Sequence, residues 1–257
     1  MITNLSDYES SIATALVDPS TPYPANHFAF RHVLNALGER PGSIIEVGVG
    51  EGNAIPLFAG SGHDFRGFDN RAEAVEASRP DSFMNALNGR ECDVLVAMGV
   101  LPHVECEADA IEAMASLVRP GGHVFLEFRN AMFALTTFNR YTYEFMTQSL
   151  LPEIGAEMRE LVEADIASRV EMGIPAGGTA SAGFHVPFDV LTMARELDLE
   201  APEILPFHFH AGMPYLESRD PLAYRRASVA LEDDTSGWRG LLLGSAFLLH
   251  FRRPGPR

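Results

Sequence analysis

SIIEVGVGEGN, residues 43–53, decides the reading of this chain. It opens as a short apolar strand, reaches an acid at Glu46, and breaks into a glycine comb at Gly48, Gly50 and Gly52. Seventeen residues beyond Gly52 stands Asp69, at the end of a second strand-like stretch, FRGFDN. A strand, a glycine-rich turn and a downstream acid together describe a nucleoside site at the carboxyl edge of a parallel sheet. The glycines let the backbone approach the ligand, and the acid holds the ribose hydroxyls.

The spacing of the comb narrows the ligand. A dinucleotide fingerprint needs G-x-G-x-x-G, with a helix amino terminus aimed at a pyrophosphate. Here the pattern is E-x-G-x-G-x-G, and Asn53 takes the third place of the dinucleotide motif. An acid two residues ahead of the first glycine repels a pyrophosphate and suits a ligand with an ammonium group. The segment resembles motif I of the class I S-adenosylmethionine-dependent methyltransferases. LVRPGGHVFLEF (117–128) adds to the resemblance, because members often carry a Pro-Gly-Gly turn before the fifth strand.

That resemblance implies S-adenosylmethionine as cofactor and a set of site residues. Glu46, Gly48, Gly50 and Gly52 face the methionine part, and Asp69, with Asn70 beside it, takes the ribose. Asp81 and Ser82 match the pair that contacts the adenine, and Met98 and Gly99 lie under the sulfonium. For Met98 the alternative is core packing, and for Glu46 a bond to the comb backbone.

Composition removes other classes. The net charge is −16, with no basic cluster larger than the pairs Arg225–Arg226 and Arg252–Arg253, whereas a phosphate backbone requires a basic footprint. Nucleic acid is therefore not expected as substrate. The chain contains no lysine; all 19 basic residues are arginine. This excludes a Walker loop, a pyridoxal Schiff base and the Tyr-x-x-x-Lys pair of short-chain dehydrogenases. No apolar run reaches the ~18 residues that span a bilayer. The first residues, MITNLSDYESS, lack a basic region and apolar core. Cys92 and Cys106 supply neither a disulfide framework nor zinc spacing. The cytoplasm, no membrane and no metal are the expectations, and the oligomeric state stays open, a homodimer included.

Along the chain, residues 5–18 and 26–38 read as helices, the second capped by Asn26 and ended by Gly38. Strands follow at 43–48 and 64–69. A third is weakly marked near Ser82–Met84. The fourth, CDVLVAMGV, is a continuous apolar run of the kind buried on both faces. A helix over 107–118, a turn at Arg119-Pro-Gly-Gly and a fifth strand over 123–128 come next. Residues 130–200 form a mainly helical, aromatic insertion with a Gly/Ala-rich loop, read as a lid over the acceptor. Late strands at EILPFHFH and SAFLLHF close the sheet as an antiparallel hairpin. The expected fold is α/β, a Rossmann-like doubly wound sheet in one domain of 257 residues. Its parts are a helical segment (1–40), a cofactor core (41–129), the insertion (130–200) and the closing strands (201–257).

Methyl transfer from a sulfonium releases a neutral thioether. The enzyme has to align the acceptor and, for a hydroxyl, remove a proton. His103, in GVLPHV just past the fourth strand, is a candidate base, or else a residue that fixes its loop. His208 and His210 alternate on one strand and share a face. They read as a base, as a two-His metal element that lacks its carboxylates, or as an exposed face. Glu127, Arg129 and Asn130 leave the fifth strand on the acceptor side. Arg129 and Arg140 suit an anionic group, with a surface ion pair as the alternative. Tyr141 and His185 complete the candidate substrate contacts. The expected activity is O- or N-methylation of a small molecule in bacterial secondary or sugar metabolism. The rivals are a non-methylating S-adenosylmethionine enzyme, an inactive cofactor-binding partner and a nicotinamide oxidoreductase.

Overall fold

A computed structural model describes residues 5–21, 23, 25–38, 42–49, 54, 57–58, 62–69, 91–172, 183–233, 235 and 237–255. Gly50, Gly52, Asn70, Asp81, Ser82 and the expected third strand lie outside the described residues, as does most of the Gly/Ala-rich loop.

The apolar runs identified in the sequence form one sheet. Its strands are β1 (Ser43–Val47), β2 (Asp64–Phe68), β3 (Cys92–Ala97), β4 (Val118–Asn130), β5 (Phe184–His185), β6 (Glu200–Phe209) and β7 (Gly244–Arg252). The order is β2-β1-β3-β4-β7-β6, and β5 pairs with β4 off this path. Pairings among β1 to β5 are parallel, while β7 runs antiparallel to both β4 and β6. The expected mostly parallel sheet with a closing antiparallel hairpin is therefore present. Because β6 is antiparallel to β7 and β7 to β4, β6 ends on the same edge as β1, β3 and β4. That carboxyl edge is where ligands sit in open α/β sheets.

Both faces are covered, which explains the unbroken apolar run of β3. One face packs Ile45, Leu95, Leu126 and Phe247 against α3 (Glu107–Ser116) and α7 (Pro187–Glu196). The other packs Ile44, Val96, Phe125 and Leu248 against α1 (Leu5–Ala15), α2 (Asn26–Leu37), Leu57 and Phe58. Between β4 and β5 lie α4 (Ala134–Thr137), α5 (Arg140–Glu144), a π-helical turn (Phe145–Leu150) and α6 (Ala156–Ala167). α8 (Pro221–Leu231) and α9 (Trp238–Leu243) separate β6 from β7. Arg225 of α8 donates to the carbonyls of Ala15 and Thr21, and Arg226 to that of Leu16. These bonds hold the amino-terminal segment against the end of the sheet.

Two local expectations are corrected. Arg119-Pro-Gly-Gly is part of β4 and not a separate turn. Cys92 pairs with Val118 and Val94 with His123, so the extra residues bulge out within the strand. Gly121 permits the bulge with φ +78, and Gly121 and Gly122 exchange backbone bonds with Arg253. Asn26 is not the cap of α2. The cap position is Ala25, with no side-chain bond, while Gly38 ends the helix with φ +65 as expected. The mainly helical insertion also contains β5, because β4 extends past the end of β3 and leaves ladder groups that Phe184 and His185 pair with.

Candidate active site

β1 and β2 converge where they leave the sheet. The amides of Gly48 and Val49 both donate to the carbonyl of Phe68, at 2.7 and 3.2 Å. This junction brings Glu46, on β1, into electrostatic range of Asp69, which follows β2. Glu46 is buried, at 2% exposure, and its Oε2 has no hydrogen-bond partner among the described residues. Burial first, and then the Asp69 carboxylate, pushes Glu46 up to about 7. An acid held this way favours a ligand that brings positive charge or hydrogen-bond donors.

Gly48 explains why the comb begins with glycine. Its φ is +81, and a Cβ there would stand 2.6 Å from Val100 Cγ2 and 2.9 Å from the Met98 carbonyl. Only glycine lets the exits of β1 and β3 approach this closely. A buried acid with an oxygen unpartnered among the described residues, a second acid in electrostatic range and a close backbone approach at Gly48 fit the amino-acid end and ribose of S-adenosylmethionine.

The exit of β3 is held from β4. Gly99, with φ +65, donates its amide to Glu127 Oε2 at 2.6 Å. Burial raises the Glu127 carboxyl above its ordinary range. Met98 is buried in the core on the α2 face, the packing alternative noted for it. His103 ends a short 3₁₀ turn, Leu101–His103, and is exposed.

The acceptor candidates divide. Arg140 donates from Nε to Glu144 Oε1 at 2.7 Å, one turn along α5, so the ion-pair alternative holds for it. The guanidinium of Arg129 lies over the Phe184 ring, 5.9 Å from its centroid. Asn130 is buried and donates to the carbonyls of Leu241 and Gly244. It ties the end of β4 to the start of β7. Tyr141 packs on Phe184, with centroids 5.6 Å apart. His185 bonds Glu107 Oε1 from Nε2 at 2.8 Å and meets the Phe128 ring edge-on. β5 is thereby pinned to α3.

Two groups were not visible in the sequence. Glu144 is buried, and its Oε2 has no partner among the described residues. It lines a cavity of about 80 Å³ with Ala131, Ala134, Tyr141, Phe145 and Phe184. The i, i+4 spacing from Arg140 was the available signal. The other group surrounds His208 and His210, whose ring centroids are 4.6 Å apart. Tyr23 approaches His208, Phe133 approaches His210, and Tyr224 bonds His210. Nearby, Glu232 accepts the Phe209 amide at 2.8 Å, and burial pushes its carboxyl up to about 8. The two histidines are driven the other way by burial, His208 to about 4 and His210 to about 3. His208 also has a strained backbone for a non-glycine residue, φ +54. Among the described residues no cluster of three His, Cys, Asp or Glu is arranged to hold a metal ion. No helix among them is long and apolar enough to cross a membrane.

The chain is similar to several known proteins. The chain is 28% identical to the ubiquinone biosynthesis O-methyltransferase of Thiobacillus denitrificans over 187 residues, covering 67% of this chain and 68% of that one. The corresponding protein of Burkholderia pseudomallei is 28% identical over 218 residues, covering 79% and 78%. A solved S-adenosylmethionine-dependent methyltransferase from Archaeoglobus fulgidus aligns over 87% of this chain and 91% of its own, with 11% identity and a TM-score of 0.48. The family model described as a methyltransferase domain matches residues 25–163, more than half of the sequence. The chain belongs to that methyltransferase family, and S-adenosylmethionine is its cofactor.

Proposed function

We propose that the protein transfers the methyl group of S-adenosylmethionine to an oxygen of a small organic acceptor. The observation that carries this reading is the buried Glu46, with an oxygen unpartnered among the described residues, near Asp69 and the close backbone approach at Gly48. Glu46 would hold the amino-acid end of the cofactor, and Asp69 the ribose. The bound cofactor supplies an electrophilic methyl on sulfur. What the chain supplies is alignment at the carboxyl edge, where β3, β4 and β6 all end. The relatives' named activity, O-methylation in ubiquinone biosynthesis, supports oxygen over nitrogen as the accepting atom. Their names lend no support to secondary or sugar metabolism as the setting. The net charge of −16 supports a small molecule over nucleic acid.

Two measurements test the reading. Calorimetry should show S-adenosylhomocysteine binding and NAD not binding. Incubation with a methyl-labelled donor should place label on an oxygen of a small hydroxylated acceptor. Tighter binding of NAD, or label found on nitrogen alone, would overturn it.

A further inference from the structure

The cavity of about 80 Å³ beside Glu144 has a buried floor and an open rim. Ala131 and Glu144 are buried, while Gln148 and Ser149, on the π-helical turn, are exposed. A group from outside therefore enters past Gln148 and Ser149 and meets Glu144. The two carboxylate oxygens of Glu144 are in different situations. Oε1 accepts from Arg140 Nε at 2.7 Å. Oε2 has no partner among the described residues. A buried carboxylate oxygen left this way costs free energy until a donor reaches it. The remaining walls are the rings of Tyr141, Phe145 and Phe184. Ala131 follows β4 and Phe184 belongs to β5, so the cavity flanks the carboxyl end of β4. Single π-helical turns of this kind recur at functional sites.

The lining decides what fits. An anionic group is excluded, because it would face the Glu144 carboxylate. Arg140 does not reverse this, since its guanidinium is engaged by Oε1. The space equals that of about two to three water molecules, so it takes the end group of a ligand and not a ring. Three aromatic walls favour a cation over a neutral group, and the open carboxylate oxygen requires a hydrogen-bond donor. The cations already nearby are Arg140 on Oε1 and Arg129 over the Phe184 ring. Both residues are exposed, and hydration weakens their repulsion of a cation inside the cavity.

We propose that the cavity holds a primary ammonium group of the methyl acceptor, bonded to Glu144 Oε2 and walled by Tyr141, Phe145 and Phe184. The inference rests on the methyl-transfer reading above and names its substrate class, a small amine that also carries the reacting hydroxyl. An ammonium nitrogen has no lone pair, so the held group is protected and transfer is confined to oxygen. Glu144 acts as a specificity residue and takes no part in the bond exchange.

The test uses the full chain saturated with S-adenosylhomocysteine at neutral pH. Three probes matched in size, benzylamine, benzyl alcohol and benzoate, are titrated by ligand-observed NMR. Benzylamine, protonated under these conditions, should bind at least about tenfold more tightly than benzyl alcohol, and benzoate should bind most weakly. Glu144→Gln should erase that preference, weakening benzylamine by about 10- to 100-fold and leaving benzyl alcohol within about threefold. Ser149→Phe, at an exposed position on the rim, closes the entrance. It should abolish benzylamine binding while the thermal midpoint and S-adenosylhomocysteine affinity match wild type, and it keeps the test decisive if Glu144→Gln fails to fold. Benzyl alcohol bound as tightly as benzylamine would leave Oε2 to water and overturn the proposal. So would a folded Glu144→Gln with the preference intact, or a Ser149→Phe chain that binds benzylamine as wild type does. A wild type that fails to bind S-adenosylhomocysteine would instead overturn the methyl-transfer reading.

Discussion

The Asp69 carboxylate acts on Glu46 across the joined exits of β1 and β2, and adds to burial in pushing Glu46 up to about 7. The ordinary value is 4.5, so the folded chain holds this proton more tightly than the unfolded chain. The stability that Glu46 contributes is fully present below about 4.5. It is lost as pH rises through about 7.

Glu46→Gln mimics the protonated side chain. The cofactor-free variant should match wild type near pH 4.5 and exceed it at pH 8 by about 1–3 kcal/mol. Urea unfolding at the two pH values measures this. Equal stability at pH 8 would mean that the Glu46 carboxylate is solvated.

Cofactor binding should draw the same proton off. The amino-acid end of S-adenosylhomocysteine carries an ammonium that favours the Glu46 carboxylate. At pH 6, binding should release close to one proton from wild type and none from Glu46→Gln. Calorimetry in two buffers of different ionisation enthalpy reads the difference.

Asp69 should hold the ribose. Asp69→Ala should weaken S-adenosylhomocysteine binding by roughly 1.5–3 kcal/mol, the scale of hydrogen bonds to a charged group. It should also lower the Glu46 pKa, because a neighbouring charge is gone. Unchanged affinity in a folded variant would place the ribose elsewhere.

How much of this was legible follows from what each residue depends on. Glu46 and Gly48 share one strand and its turn, and Asp69 follows the strand that pairs with it, so the motif and its spacing bring them together. The sheet was legible because β3 is a continuous apolar run and β1, β4 and β7 carry apolar stretches. The bulge at Arg119–Gly122 was not, since a Pro-Gly-Gly sequence serves a turn and a bulge equally well. β5 escaped notice because two residues have no periodicity. The partnership of His210 with Tyr224 joins residues 14 apart on different elements, and Glu144 is buried by aromatic side chains folded over it. Tertiary packing decides both, and a local pattern carries no trace of it.

Gly99 and Glu127 form the corresponding joint between β3 and β4. Glu127→Ala should cost about 0.5–1.5 kcal/mol in stability, since it removes the acceptor of the Gly99 amide. Glu127→Gln keeps an acceptor oxygen and should recover most of that loss. Denaturant midpoints at constant m-value separate the two. If both variants lose equally, the charge and not the bond is what matters.

β5 is held by side chains more than by its ladder. β5 is two residues long, and a parallel pair of that length has little stability of its own. Its anchors are the His185–Glu107 bond at 2.8 Å, the edge contact of His185 with Phe128, and Arg129 over Phe184. Glu107 and His185 are both partly buried, so their bond should be worth about 1–2 kcal/mol. Glu107→Ala removes that one anchor while α3 keeps its buried residues Ile111, Met114 and Ala115. The Phe184 and His185 amides should then exchange about 5- to 30-fold faster, with the global unfolding midpoint nearly unchanged. Because β5 sits past the end of β3, the variant should also raise KM for the acceptor while cofactor affinity stays the same. Hydrogen exchange resolved to residues 183–187 measures the first effect and steady-state kinetics the second. Unchanged exchange would show that the ladder and the two aromatic contacts suffice, and that the bond to α3 has no part in holding β5.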